Sequence, residues 1–256
     1  MNISVVINTF NSGKTLENCL ESVKDFNEIV ICDMYSTDNT LEIAQKFNCT
    51  IVMHEQTGYV EPARNFAISQ AKNEWVLVLD SDETISIELA DFIKNYSLEN
   101  NKGTDAYMLP RKNYFMNKFM HCMYPDYQLR FFKKCCVNWP NTIHSIPKVN
   151  GVLEKYPSGL DIYIDHKMGE ETVESFVRKM NHYTNLEVSR RQNKNYSGIS
   201  LFLNCSYRFF RMYILKGAYK DGKAGLIYAL LNTFYKFTTM AKIIESKEKT
   251  QKNKRI

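Results

Sequence analysis

Four short apolar runs open this chain, each ending in polar or acidic side chains and each followed by a turn or a stretch with helical spacing. No other feature constrains the fold as much. Ile3-Ser4-Val5-Val6-Ile7 is β-branched and nearly continuous, as expected of a strand buried on both faces. Asn11-Ser12-Gly13 turns the chain, and residues 14–25 carry Leu16, Cys19, Leu20 and Val23 at helical intervals. A second run over 28–32 ends in Asp33, and Ser36-Thr37-Asp38 then offers N-caps for a helix over about 39–47. Residues 51–54 read as a third strand and 62–71 as a third helix; a fourth strand over 74–79 runs straight into Asp80-Ser81-Asp82-Glu83. Alternation at this spacing implies βαβ units with right-handed crossovers, hence an α/β fold on a mostly parallel sheet flanked by helices.

After about Asp105 the pattern changes. Strands are expected over 105–112 and 128–133, separated by a Met- and aromatic-rich insert, and from Glu170 onward the chain reads as helical. The organisation expected is therefore a domain over 1–165, with halves 1–104 and 105–165, and a helical extension over 166–256. Residues 247–256 are mostly charged or polar, and are expected to fray. With 44% hydrophobic and 24% charged residues, disordered and fibrous classes are excluded. The seven cysteines are scattered without a C-x-x-C, which favours a reducing compartment over a disulfide framework. The first ten residues lack a basic secretory n-region, and the apolar stretch over 224–235 is too short to cross a bilayer. A cytoplasmic protein is expected.

In open α/β sheets ligands bind at the carboxyl ends of the strands. Here those ends deliver Asn8, Thr9 and Asn11, then Asp33, then Asp80 and Asp82: an acidic, polar rim without G-x-G-x-x-G or G-K-[ST]. Two carboxylates two residues apart suit a hard divalent cation, magnesium or manganese, with positions left open for a diphosphate. A D-x-D alone equally suits a solvated turn or a cap for a helix over 84–96. Following an unbroken apolar strand, with earlier polar strand ends in step, it reads as a site.

Four segments in order, Val5-Val6-Ile7-Asn8-Thr9-Phe10-Asn11, Asp33-Met34-Tyr35-Ser36-Thr37-Asp38-Asn39-Thr40, Gly58-Tyr59-Val60-Glu61-Pro62-Ala63-Arg64-Asn65 and Leu79-Asp80-Ser81-Asp82-Glu83, resemble the family 2 glycosyltransferases. The resemblance covers about 1–147. It continues more faintly through His166, 179–187 and 213–226, where it is similar to lipopolysaccharide core β-1,4-glucosyltransferases. It implies the GT-A nucleotide-sugar fold, Rossmann-like, with a C-terminal helical extension, and inverting transfer from a UDP-sugar to a saccharide or glycolipid acceptor. Asp33 would accept a hydrogen bond from the nucleobase imide; the family's second acidic residue is Met34 here, so that residue's contact to the base does not carry over. Thr9 and Asn11 would line the same pocket, and Arg64 would reach base, ribose or diphosphate, its plainer reading being an exposed helix cation. Asp82 would be the principal metal ligand, Asp80 would hold the ribose or reach the metal through water, and His144 would add a metal or diphosphate contact, unless it is structural. Asp126, in Tyr124-Pro125-Asp126-Tyr127-Gln128-Leu129-Arg130, matches the position of the family's catalytic base; as a lone Asp after proline it would equally cap a helix. Gln128 and Arg130 would contact donor or acceptor, or Arg130 would pair with a neighbouring carboxylate.

From 173 to 244 aromatics alternate with cations, as in Arg208-Phe209-Phe210-Arg211-Met212-Tyr213. Without a stacking-module signature, nucleic acid is not the expected partner. A solvated cationic face is one reading, and peripheral contact with the cytoplasmic face of the inner membrane, where a glycolipid acceptor would be found, is the other. Two further readings remain. A nucleotidyltransferase would want a Gly-rich basic loop at 8–13, and a non-catalytic module for nucleotide-sugar or anionic lipid would not need both Asp82 and Asp126.

Overall fold

A computed structural model describes residues 2–56, 61–96, 103–140, 147–158, 161–166, 172–191 and 193–253. By contact, the chain forms two compact units: residues 1–112 with 125–167, and residues 113–124 with 168–256.

The first unit begins with β1 (Ile3–Thr9), α1 (Leu16–Val23), β2 (Glu28–Asp33), α2 (Thr40–Lys46), β3 (Thr50–Met53), α3 (Glu61–Gln70) and β4 (Trp75–Asp80). β1 lies between β2 and β4, all parallel, with β3 outside β2. Alternate residues of each strand feed opposite faces. Val5, Ile7, Leu77 and Leu79 join one apolar cluster, and Val6, Val76 and Val78 join another. Burial on both sides explains why these strands are almost continuously apolar. The register then fixes the rim, because Asn8 pairs with Asp80 and Thr9 with Asp33.

Beyond β4 the sheet is mixed. β5 (Glu83–Ile85) and α4 (Ile87–Lys94) follow; Ser86 caps α4 by accepting from the Leu89 N–H. The helix expected over 84–96 thus starts late, because Glu83 and Ile85 pair with β12 (Ile164–His166). β6 (Ala106–Phe115) and β8 (Asp126–Lys133) are antiparallel, and β8 runs antiparallel to β4, with Leu77 opposite Phe131. The first residues of β8 therefore lie toward the carboxyl end of β4. β9 (Val137–Asn138) pairs with β10 (Lys148–Val149), while β11 (Leu153–Lys155) adds parallel to β6.

The second unit holds the insert, with β7 (Lys118–Phe119) and a 3-10 turn (His121–Met123), and the helices α5 (Val173–Arg190), α6 (Gly198–Phe210) and α7 (Gly222–Asn253). Asp221, fully buried, accepts from the backbone N–H groups of His121 and Cys122 and contacts His121 Nδ1 at 2.7 Å. Gly225 permits the close approach of the preceding turn, since a Cβ there would lie 1.8 Å from the Ala218 carbonyl oxygen. Fraying was expected from 247, yet α7 continues to Asn253, with a Lys249–Glu245 pair at 2.7 Å and Lys247 bonded to Asn195. Side-chain pairs one turn apart and contacts to the preceding loop offset the polar composition. Among the described residues no helix is long and apolar enough to cross a membrane.

Candidate active site

The rim formed by β1 and β2 is held by its own hydrogen bonds. Asp33 is fully buried and accepts from Thr9 Oγ1 at 2.8 Å, the Ser36 N–H at 2.7 Å and Ser36 Oγ at 2.6 Å. Asn11 ties the two loops together: its N–H donates to Ser36 Oγ and its Oδ1 accepts from the Thr37 N–H, both at 2.8 Å. Its φ of 48° is one that asparagine tolerates. Two residues beyond Asp33, Tyr35 has φ 61° and is 59% exposed. The left-handed region is uncommon for a bulky side chain, and this one presents its ring to solvent beside the Asp33 strand end.

From β4 a chain of alternating charges crosses the sheet. Arg64 donates to Asp80 Oδ1 at 2.6 Å, and Arg130 donates to Asp80 Oδ2 and, at 2.7 Å, to Glu83 Oε1. Arg111 donates to the same Glu83 oxygen at 2.8 Å and to Asp126 Oδ2 through Nε at 3.1 Å and a terminal nitrogen at 2.7 Å. Gln128 Nε2 closes the series on Asp126 Oδ1 at 3.0 Å. The geometry follows from strand register, since Arg111 and Asp126 are direct partners across β6 and β8. Glu83 is fully buried, and its other oxygen accepts from the Asp80 N–H at 3.0 Å. Burial would push the Asp80 carboxyl up, but Arg130 and Arg64 outweigh it and hold the group well below the ordinary carboxylate range. Burial lowers Arg130, and Asp80 with Glu83 more than reverse this.

Asp82 branches away from this chain. Its side chain is 42% exposed and its Oδ2 lies 3.2 Å from His166 Nε2, as the pairing of β5 with β12 requires. Asp80 and Asp82, two residues apart, therefore face different partners, and both Asp80 oxygens are taken by arginines. Among the described residues no three or more His, Cys, Asp or Glu side chains form a group able to hold a metal ion. His144 lies outside the described residues. Beside the charge chain is a cavity of about 420 Å3, lined by Arg64, Tyr127, Gln128, Arg130, Trp139 and Leu153 among others. The Arg64 guanidinium stands 5.8 Å above the Trp139 ring.

The structure thus joins Arg64, Asp80, Arg130, Asp126 and Gln128 in one network, places Thr9, Asn11 and Asp33 on the neighbouring strand ends, and sets Asp82 apart with His166. Asp126 opens a strand and does not cap a helix. Glu83, Arg111 and His166 complete the arrangement. The sequence showed Glu83 only as the residue after D-x-D, and Arg111 as a cation in an apolar strand. Such a cation is itself a signal, because it must find a carboxylate when buried.

Comparison with known proteins agrees with this architecture. The uncharacterized glycosyltransferase RC0292 of Rickettsia conorii is 26% identical over 97% of this chain and 92% of its own length. An uncharacterized glycosyltransferase of Rickettsia bellii is 27% identical over 95% of this chain and 86% of its own length. Among solved structures, S. aureus TarS 1–349 in complex with UDP superposes with a TM-score of 0.50 at 18% identity, covering 98% of this chain and 92% of that one; the likeness shows the shared GT-A fold. Residues 4–134 match the sequence model of glycosyl transferase family 2, and the chain is a glycosyltransferase belonging to that family.

Proposed function

We propose that this glycosyltransferase moves a hexose, glucose or a close relative, from a UDP-sugar to a saccharide or glycolipid acceptor of the bacterial envelope, with inversion and by single displacement. One observation carries the reading. The carboxylate expected to act as base, Asp126, and the strand-end Asp80 are joined through Arg111, Glu83 and Arg130, and both Arg130, on Asp80, and Gln128, on Asp126, line a 420 Å3 cavity. In this reading Asp126 takes the proton of the acceptor hydroxyl as its oxygen attacks the anomeric carbon. Arg111 and Gln128 orient that carboxylate. Arg64 and Arg130 face the diphosphate, and the planar fork of each can shift between Asp80 and phosphate oxygens.

Asp33 has the capacity to recognise the base. A carboxylate offers about four acceptor sites, and three donors already use its oxygens. The remaining site can take the imide N–H of uracil, and the exposed ring of Tyr35 can stack on the base. The UDP complex of TarS, a protein of the same fold, favours uridine. Asp82 and His166 present an oxygen and an imidazole nitrogen 3.2 Å apart, a donor pair that suits manganese or, with water and phosphate oxygens, magnesium. When bound there, the cation offsets the charge of the departing diphosphate. The acceptor places the work at the cytoplasmic face of the inner membrane, and the subgroup resemblance points to lipopolysaccharide core synthesis.

The test is UDP release from a panel of UDP- and GDP-hexoses, with and without EDTA. UDP-hexose turnover should be lost with EDTA and in Asp82→Asn. With acceptor present, Asp126→Asn should lower kcat by about 10²–10⁴ while leaving UDP affinity intact. Tight UDP binding with no turnover under any condition would make the chain a binding module, and full turnover in Asp126→Asn would remove the base assignment.

A further inference from the structure

Within the second unit, three cations gather around a cavity whose lining holds no carboxylate. Arg208, Arg211 and Lys216, with Met212, line a cavity of about 60 Å3 on the run formed by α6 and the π-helical turn Arg211–Leu215. The Lys216 N–H reaches back five residues to the Arg211 carbonyl at 2.9 Å, which widens the helix where the pocket forms. Arg208 Nε is buried without a hydrogen-bond partner, and the terminal nitrogen meets the neutral Asn232 Oδ1 at 3.3 Å. A buried guanidinium N–H is costly to leave unmade. Residues 198–223 carry five cations and one acid, Asp221, which is buried under its own hydrogen bonds. On α7, Lys236 is pushed below the ordinary lysine range, first by burial and then by Arg191 and Lys194, with Glu187 opposing and Arg208 adding less. Cations crowded in this way would be relieved by an anion.

The same run exposes apolar side chains at intervals of three or four residues. Ile199, Phe202, Leu203, Tyr207, Phe210 and Ile214 are all exposed, Phe202 by 71%. Leu230 and Phe234 are also exposed, on α7. A protein partner would satisfy the stripe alone, but an anionic phospholipid satisfies both features: its phosphate meets the cations while the acyl boundary receives the aromatics. The cavity matches a single phosphate group in scale.

We propose that Arg208, Arg211 and Lys216 form a pocket for the phosphate of an anionic lipid headgroup, with the apolar stripe of α6 lying in the membrane interface beside it. The proposal rests on the membrane placement given above and not on the roles of Asp126 or Asp82.

Cosedimentation of the full chain with phosphatidylcholine vesicles, with and without phosphatidylglycerol, tests it. The chain should bind only the anionic vesicles. Arg211→Gln/Lys216→Gln, both exposed positions, should weaken that binding by about thirty-fold, given about five-fold per near-surface cation, with an unchanged thermal midpoint. Phe202→Ser/Leu203→Ser should also weaken it. Vesicle binding that falls in the apolar variant and not in the cationic one would overturn the pocket while leaving the membrane placement intact; binding to neither vesicle would overturn both. Calorimetric binding of inorganic phosphate without vesicle binding would assign the pocket to a soluble phosphate and overturn the lipid. A stable dimer in sedimentation velocity, lost in the apolar variant, would give the stripe to a second copy and overturn it as well.

Discussion

Arg64, Arg111 and Arg130 of the first unit each face a carboxylate, whereas Arg208, Arg211 and Lys216 of the second unit face none among the described residues. The apolar side chains divide in the same way. Phe131 in the sheet is fully buried, while Phe202 on α6 is 71% exposed. A buried ion pair is worth little over a well-packed apolar substitute, but removing one member leaves a charge stranded. The charge chain of the first unit, from Arg64 to Asp126, is therefore matched by its own residues. The second unit pairs Arg178, Arg191 and Lys249 with carboxylates one turn away, but presents Arg208, Arg211 and Lys216 around a cavity without a carboxylate, together with exposed apolar side chains on α6.

The sharpest break of this contrast is Arg130→Met. Arg130 is 3% exposed and serves both Asp80 and the fully buried Glu83. Its loss should destabilise the chain by about 3–5 kcal/mol in urea unfolding, as for other broken buried pairs. Arg130→Lys should recover only part, because a point charge on a flexible stem cannot reproduce two fork contacts. A loss within about 0.5 kcal/mol for Arg130→Met, the range of an ordinary surface change, would mean that the charge chain contributes nothing to the folded state.

The parallel half of this site was legible because β1, β2 and β4 are buried on both faces, and β-branched runs followed by polar residues have few other uses. Once the order of β1, β2 and β4 is known, Asn8, Thr9, Asp33 and Asp80 must converge. Glu83, Arg111 and His166 were not legible as a set. Arg111 meets Glu83 across 28 residues and His166 meets Asp82 across 84. β5 and β12, the strands that carry Glu83 and His166, are three residues long, too short to show a period. The segment Asp221-Gly222-Lys223-Ala224-Gly225 lies in the stretch 213–226 that carried the fainter resemblance, but its purpose was not legible. Asp221 receives N–H groups from residues about a hundred positions earlier, and Gly225 clears a carbonyl.

Asp221 also supplies the second unit's one counterpart, among the described residues, to the charge chain, and a smaller expected effect. Burial raises its carboxyl, but the N–H groups of Cys122 and His121 and the His121 ring outweigh it, so the folded value lies below the ordinary one. A depressed value contributes stability above the unfolded carboxylate pKa of about 3.9, and that stability is lost as pH falls toward the folded value. Asp221→Asn turns an amide N–H toward groups that need an acceptor, which should cost about 1–3 kcal/mol near neutrality. The gap between variant and parent should narrow as pH drops below about 4. A gap that widened with acid would reverse the sign of the argument.

The smallest effect bears most directly on the contrast between the units. Phe202→Ser removes a large apolar side chain from α6, and in a core such a truncation would cost about 3–5 kcal/mol. At 71% exposure little apolar area returns to water, so the expected change in unfolding free energy is within about 0.5 kcal/mol. Phe131→Ala, made in parallel, should show the full core cost, because its ring packs against Trp75 at 4.7 Å and Tyr96 at 5.3 Å between ring centroids. Equal losses at the two positions would mean that α6 is covered in solution as thoroughly as the sheet, by a partner the isolated chain already carries. A near-zero change at Phe202 leaves its ring as surplus to folding. The apolar side chains of that face then serve what the face touches and not the folding of the chain.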